Sequence, residues 1–249
     1  MVVNMDLFER QWQAYRAVVD NDWMEHRGLT AACAAALRTW VAEHPGRRGE
    51  ISLLDLGCGD LARMGPVFRG LPLKTYVGVD LTEQVLPKAH AALGRVPFAA
   101  EFHHADIVEF VEAPGETVDL VHASLVVHHL EDDDKETFLA ALRRRVSDGG
   151  AFVWADLFRE AGESRAEYLE RYTARIRGSW HAIDEDARQA IVSHITAFDF
   201  PADREAIVEV AERAGWHWRR LWHGSHRAEA VALLTAREPC SDAAVGGGG

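Results

Sequence analysis

The chain has 249 residues, 48% of them hydrophobic, and a formal net charge of −12. That length holds one large α/β domain, or one domain with a cap, and no apolar run approaches a membrane span. The acidic balance argues against a nucleic-acid surface, which needs clustered Lys and Arg. Three cysteines (Cys33, Cys58, Cys240) form no Cys-x-x-Cys pair, so reduced thiols and no zinc site are expected. The start, Met1 to Asp6, lacks the basic region and apolar core of a signal peptide; a cytoplasmic location is the expectation.

In chain order, residues from Asp6 to His44 have helical periodicity, with Phe8, Trp12, Tyr15, Val18 and Val19 at three- and four-residue steps. Leu29 to Val41 is a second apolar helical run, after a break near Asn21-Asp22. Pro45, Gly46 and Gly49 lead into a first strand, Ile51–Leu56, and a second is predicted over Thr75–Asp80. Thr82 offers a cap, and Pro87 interrupts the next helix near its start. A short strand at Glu101–His104 ends before Asp106-Ile107, and Val118–Ser124 is a fourth. Asp132, Asp133 and Asp134 offer caps for a helix over Lys135–Val146. A double-glycine turn then precedes a fifth strand ending in Asp156. A largely helical segment follows from Arg159 to His194, then a helix over Asp203–Ala214 closed by Gly215. Trp216–His223 and Glu229–Ala236 read as strands joined by a turn at Gly224-Ser225-His226. The glycine run at the C-terminus reads as a flexible tail.

The densest chemical signal is Leu53-Leu54-Asp55-Leu56-Gly57-Cys58-Gly59-Asp60, followed one βα unit later by Tyr76-Val77-Gly78-Val79-Asp80. Two apolar runs, each ending in an acid, place their carboxyl ends at one crevice of an open α/β sheet, where such folds bind nucleotides. Gly57 and Gly59 permit a tight turn and close backbone approach, and Asp80 stands where a ribose-binding acid belongs. Asp55 and Asp60 bracket the turn. Two carboxylates there would repel a pyrophosphate and suit a cofactor end bearing an ammonium group.

These residues resemble the first motif of the class I S-adenosylmethionine-dependent methyltransferases. The Gly149-Gly150 turn before the fifth strand is similar to a second element of that family. The resemblance implies an α/β, Rossmann-like fold: a mostly parallel seven-stranded sheet, an antiparallel C-terminal hairpin and a helical cap. Its division would be N-terminal cap helices (1–48), a cofactor-binding core (49–158), a cap insertion (159–200), a final helix and hairpin (201–238) and a tail (239–249). S-adenosylmethionine is the implied cofactor. Asp55, Gly57 and Gly59 would line its methionine end, Asp80 its ribose, Leu81, Asp106 and Ile107 its adenine, and Ser124 would face the methyl-bearing sulfonium.

Methyl transfer is an in-line displacement, so alignment and desolvation dominate, and a general base can assist. His128 and His129, just past the fourth strand, are the candidates for catalysis; such enzymes carry a histidine at the place of His129, where it also braces the loop. Adjacent histidines on a helix diverge, so no metal site is expected there. Acceptor contacts are expected from elements crowning the sheet: Tyr15, Arg16 and His26; then Tyr168, Tyr172, Arg175, Trp180, His181 and His194; then His223, His226 and Arg227. These point to a small polar acceptor, methylated on nitrogen or oxygen, with no nucleic-acid or membrane partner. Two other readings stay open: a cofactor-binding or partner-regulating protein without catalysis on the same fold, and a nicotinamide-dependent oxidoreductase with an unusual acidic turn.

Overall fold

The chain is described by a computed structural model covering residues 13, 14 and 16–236. Tyr15, the residues before Gln13 and the C-terminal tail with Cys240 lie outside the described residues. Residues 16–20 are helical, and the chain breaks at the expected place, where Asp22 (φ 58°) accepts the Arg27 N–H. Then come α1 (His26–Glu43), β1 (Ile51–Leu56), α2 (Gly65–Arg69), β2 (Leu73–Asp80), α3 (Leu86–Leu93) and β3 (Ala99–His104). They are followed by α4 (Ile107–Glu112), β4 (Val118–Ser124), α5 (Asp132–Arg145) and β5 (Val146–Arg159). The rest is α6 (Arg165–Ser179), α7 (Glu185–Phe198), β6 (Ala202–Asp203), α8 (Ala206–Arg213), β7 (Trp216–His223) and β8 (Glu229–Ala236).

The strands lie in the order β3-β2-β1-β4-β5-β8-β7. The first five are mutually parallel, and β8 runs antiparallel between β5 and β7. This is the expected Rossmann-like sheet with its C-terminal hairpin. One strand was not foreseen: β5 continues past Asp156 to Arg159, and its last residues pair with the two-residue β6.

The central strands are apolar on both sides because helices cover both faces. On one face Leu37, Trp40, Phe68 and Leu93 pack on Leu53, Tyr76, Leu120 and Val153. On the other, Ile107, Phe138, Leu142 and Ile207 pack on Leu54, Val79, Val121 and Trp154. Helix α5 starts at Asp132, earlier than the predicted Lys135, so its three aspartates occupy the first turn and three arginines the last. Both charges complement the helix dipole. Asp106 caps α4, Ser164 and Glu167 form a capping box on α6, and Asp184 caps α7.

A third apolar cluster joins the insertion to the N-terminal segment and the sheet. Tyr168, Tyr172 and Ile176 of α6, Trp180 just after it, and Val192 and Ile195 of α7 pack with Val18, Leu157 and Ala228. Trp23 stacks on Trp180 at 5.1 Å, joining the N-terminal segment to the insertion. Among the described residues no helix is long and apolar enough to cross a membrane.

Candidate cofactor and acceptor site

The parallel order reverses between β1 and β4, and a crevice opens beyond the carboxyl ends of strands at such a switch point. At its floor, Gly57 (φ 66°) and Gly59 (φ 55°) take the left-handed conformation that disfavours a side chain. A Cβ on Gly57 would lie 2.7 Å from Val126, on the chain leaving β4. A Cβ on Gly59 would meet no protein atom within 4 Å, so this glycine faces open space.

Asp80 ties the turn to the end of β2: one carboxylate oxygen accepts the Gly59 N–H and the other the Thr82 N–H, both at 2.8 Å. The Ala105 N–H donates to the Asp80 carbonyl, and a His104 ring nitrogen lies 3.0 Å from the Leu81 carbonyl. Leu81 (65% exposed) and Asp106-Ile107 are thereby gathered beside Asp80. The Asp106 carboxylate accepts the Val108 and Glu109 N–H groups, while Ile107 is buried. Ser124 ends β4, half-buried, just before Leu125 (φ 55°). Gly57, Gly59, Asp80, Leu81, Asp106, Ile107 and Ser124 thus lie at or just past the carboxyl ends of β1 to β4, and the glycine cradle and strand-end carboxylate among them fit an adenosyl cofactor.

Asp55 lies elsewhere. Sequence reasoning put it against the methionine end, but its side chain is buried beneath the turn, with both oxygens engaged. Register sets Asp55 beside His122 of β4, whose Nδ1 is 2.6 Å from Oδ1, and the Tyr76 hydroxyl donates to Oδ2 at 2.8 Å. Burial alone would lower the His122 pKa, yet the Asp55 charge and hydrogen bond push it up to about 10. The pair is a buried ion pair stapling β1, β2 and β4 under the glycines. Burial, with Asp55 and Asp80 adding to it, pushes the Cys58 thiol well up, so it fills space in the turn as a neutral group.

Of the residues expected to contact the acceptor, Tyr168 and Tyr172 are buried and stack at 5.3 Å on α6. Arg175 donates to Glu229 Oε1 at 3.0 Å and to the Trp23 carbonyl. Burial raises the Glu229 pKa despite Arg175. Within the protein, the Tyr168 hydroxyl and Trp180 Nε1 are buried without a hydrogen-bond partner, while the Tyr172 hydroxyl faces the Glu229 carboxylate.

The remaining candidates are dispersed. His26 is buried beside Arg63, and burial followed by that charge lowers its pKa to about 4. Arg16 is exposed beside Asp20, His181 is exposed after α6, and His226 and Arg227 are exposed in the hairpin turn. Glu25 and Arg171 hold the backbone of that turn, and the Arg227 side chain reaches toward Glu160. His223 meets Arg204, away from the tyrosines in sequence and on β7.

His128 and His129 lie in a 3₁₀ turn, Val127–His129. His128 is buried, with Nδ1 2.5 Å from Asp156 Oδ1 and its N–H on Oδ2. Trp154 Nε1 and the Leu157 N–H complete the Asp156 shell. Burial pushes the Asp156 carboxyl up, but His128 and these donors hold it below the usual range. His129 is more exposed, 3.2 Å from the Phe198 carbonyl and 3.4 Å from Asp199. Sequence reasoning missed His122, Asp199 and Glu229. Their only signal was a polar residue inside an apolar run: His122 within β4, Glu229 opening β8, and Asp199 between Phe198 and Phe200.

Comparison with known proteins supplies the rest. Residues 54–154 match the family model described as a methyltransferase domain. An uncharacterized methyltransferase of Geobacillus thermodenitrificans is 26% identical over 215 residues, 86% of this chain and 94% of that protein. The fold is shared with YcgJ of Bacillus subtilis (TM-score 0.58, 11% identity, 84% of this chain and 99% of that one). It is shared also with the S-adenosylmethionine-dependent methyltransferase SibL (TM-score 0.52, 16% identity, 76% of this chain and 51% of that one). The glycine cradle at a sheet switch point lies within the matched segment, so residues 54–154 read as a methyltransferase domain, on a fold shared with S-adenosylmethionine-dependent methyltransferases.

Proposed function

We propose that the protein transfers the methyl group to a nitrogen or oxygen of a small polar molecule held between the crevice and the helical cap. The observation that carries this reading is the buried polar cluster of Tyr168, Tyr172 and Glu229, in which the Tyr168 hydroxyl has no hydrogen-bond partner within the protein. Buried hydroxyls and carboxylates are almost always hydrogen-bonded, since leaving one unpaired costs about 1–3 kcal/mol. An acceptor carrying its own donors and acceptors satisfies them. On this reading α6 and α7 would act as a cap over the acceptor, which suits a small molecule and not a polymer.

S-adenosylmethionine, when bound, supplies an electrophilic methyl on a sulfonium. Gly57 and Gly59 would admit its methionine end, Asp80 would accept from its ribose hydroxyls, and Asp106 and Leu81 would flank its adenine. The protein's own contribution is alignment and exclusion of water by the cap. Glu229, whose pKa is raised by burial despite its Arg175 partner, would accept a proton or a hydrogen bond from the incoming group.

The test is a methyl-transfer screen over small amines, alcohols, phenols and carboxylic acids, with transfer RNA as a polymer control. A small acceptor should be methylated, and Tyr172→Phe should raise its KM about 5- to 10-fold, the loss of about 1–1.5 kcal/mol expected for one hydrogen bond. Methylation of the polymer alone, or an unchanged KM in the folded variant, would remove the acceptor from this place.

A further inference from the structure

The inner end of α7 and the 3₁₀ turn after β4 bring His128, His129 and Asp199 together, each offering one ligand atom within 4.8 Å of the others. Sequence reasoning expected the adjacent histidines to diverge as on an α-helix. In the 3₁₀ turn they do not: their ring centroids are 4.1 Å apart. Asp199 Oδ1 lies 3.4 Å from His129 Nδ1 and 3.8 Å from His128 Nε2. Asp199 is 2% exposed, and this oxygen has no hydrogen-bond partner in the protein.

We propose that His128, His129 and Asp199 form a binding site for a divalent first-row transition ion, with zinc the best fit. Zinc bonds of about 2.0–2.2 Å in tetrahedral geometry put ligand atoms roughly 3.3–3.6 Å apart. The spacing around Asp199 Oδ1 is near that value and too wide for a strong hydrogen bond. The surroundings are arranged as metal sites are: Asp156 holds His128 through Nδ1, leaving Nε2 directed at Asp199. A carboxylate behind a histidine fixes its tautomer and orientation for the metal. Asp199 is held too, by the Phe200 N–H on the His128 carbonyl and by Arg165 on its own carbonyl. Three protein ligands leave a fourth position open, on the side where His129 is exposed and His194 flanks its ring at 5.8 Å. The site stands independently of the acceptor reading, because none of its ligands belongs to the tyrosine–Glu229 set.

The test is calorimetric titration of tag-free, chelator-treated protein with zinc and with cobalt(II), in the absence of cofactor and acceptor. Wild-type protein should bind one equivalent and show tetrahedral cobalt absorption. Asp199→Asn and His129→Ala should each abolish the cobalt spectrum, and Asp156→Asn should weaken affinity about 10- to 100-fold. His129→Ala removes an exposed ring, so it stays informative should the buried variants fail to fold. No stoichiometric binding by wild-type protein, or binding unaltered in folded His129→Ala, would overturn the site. Either result leaves methyl transfer to be judged by its own assay.

Discussion

Replacing His122 by glutamine tests whether the glycine turn rests on an ion pair. The imidazolium rises from an ordinary 6.5 to about 10 in the folded chain. At ~1.4 kcal/mol per pKa unit that is roughly 4–5 kcal/mol of stabilisation. A second route agrees: removing one partner of a buried pair costs about 3–5 kcal/mol, because the other charge stays buried. After the change Asp55 keeps only the Tyr76 hydroxyl on its side chain. At about 2–4 °C per kcal/mol for a chain of this size, the melting temperature should fall by about 6–20 °C. The pH dependence has a definite sign. A group whose folded pKa is raised contributes fully below its unfolded value and loses that contribution as pH climbs through the folded one. Wild-type stability should therefore decline between pH 6.5 and 10 relative to the variant, and the two curves should converge at the alkaline end. Urea unfolding at half-unit pH steps measures this. Parallel curves across that window, or a loss below about 1 kcal/mol at pH 7, would refute the ion pair; Asp55→Asn with His122→Gln should recover part of the loss.

Two glycines that look alike in the motif should respond differently. Alanine at Gly57 meets Val126 at 2.7 Å as well as an unfavourable φ, so it should destabilise the fold by more than the ~1–2 kcal/mol of backbone strain alone. Alanine at Gly59 adds only the strain, since its Cβ enters open space, and should instead show its larger effect on S-adenosylmethionine affinity; melting curves and calorimetry on both variants separate the cases, and equal stability losses would contradict them. Asp80→Ala removes a carboxylate that accepts from Gly59 and Thr82. It should weaken S-adenosylmethionine binding by about 1–3 kcal/mol, roughly 5- to 150-fold in Kd, and unchanged affinity in folded protein would take Asp80 out of the site.

The parts of this molecule readable from sequence are those whose signal is local. The turn Gly57-Cys58-Gly59 and the acid ending β2 sit a fixed distance apart along the chain, and the hairpin strands Trp216–His223 and Glu229–Ala236 occur with the predicted limits. Both depend on short-range chemistry: left-handed glycines at a turn, and apolar stretches broken by Gly224-Ser225. Tyr168 and Tyr172, one helical turn apart, stack for an equally local reason. What could not be read is what sheet order creates. Asp55 meets His122 only because β1 neighbours β4, two strands far apart in the chain. From the motif alone, an acid before a glycine turn points equally well up into the crevice or down beneath it; the cross-strand imidazole decides for down. The same logic governs His128. Sequence reasoning set it just past β4 as a candidate for catalysis, whereas β5, running on past Asp156, sets a buried carboxylate behind the ring, and the end of α7 sets Asp199 before it. Each hidden partner is a polar residue inside a run the sequence otherwise spends on the core. In a parallel sheet covered on both faces such a residue must find its complement on another strand or at the ligand. That makes His122, Glu229 and Asp199, the residues the motif did not include, legible only through their partners: Asp55 on β1, Arg175 on α6 and the His128–His129 turn.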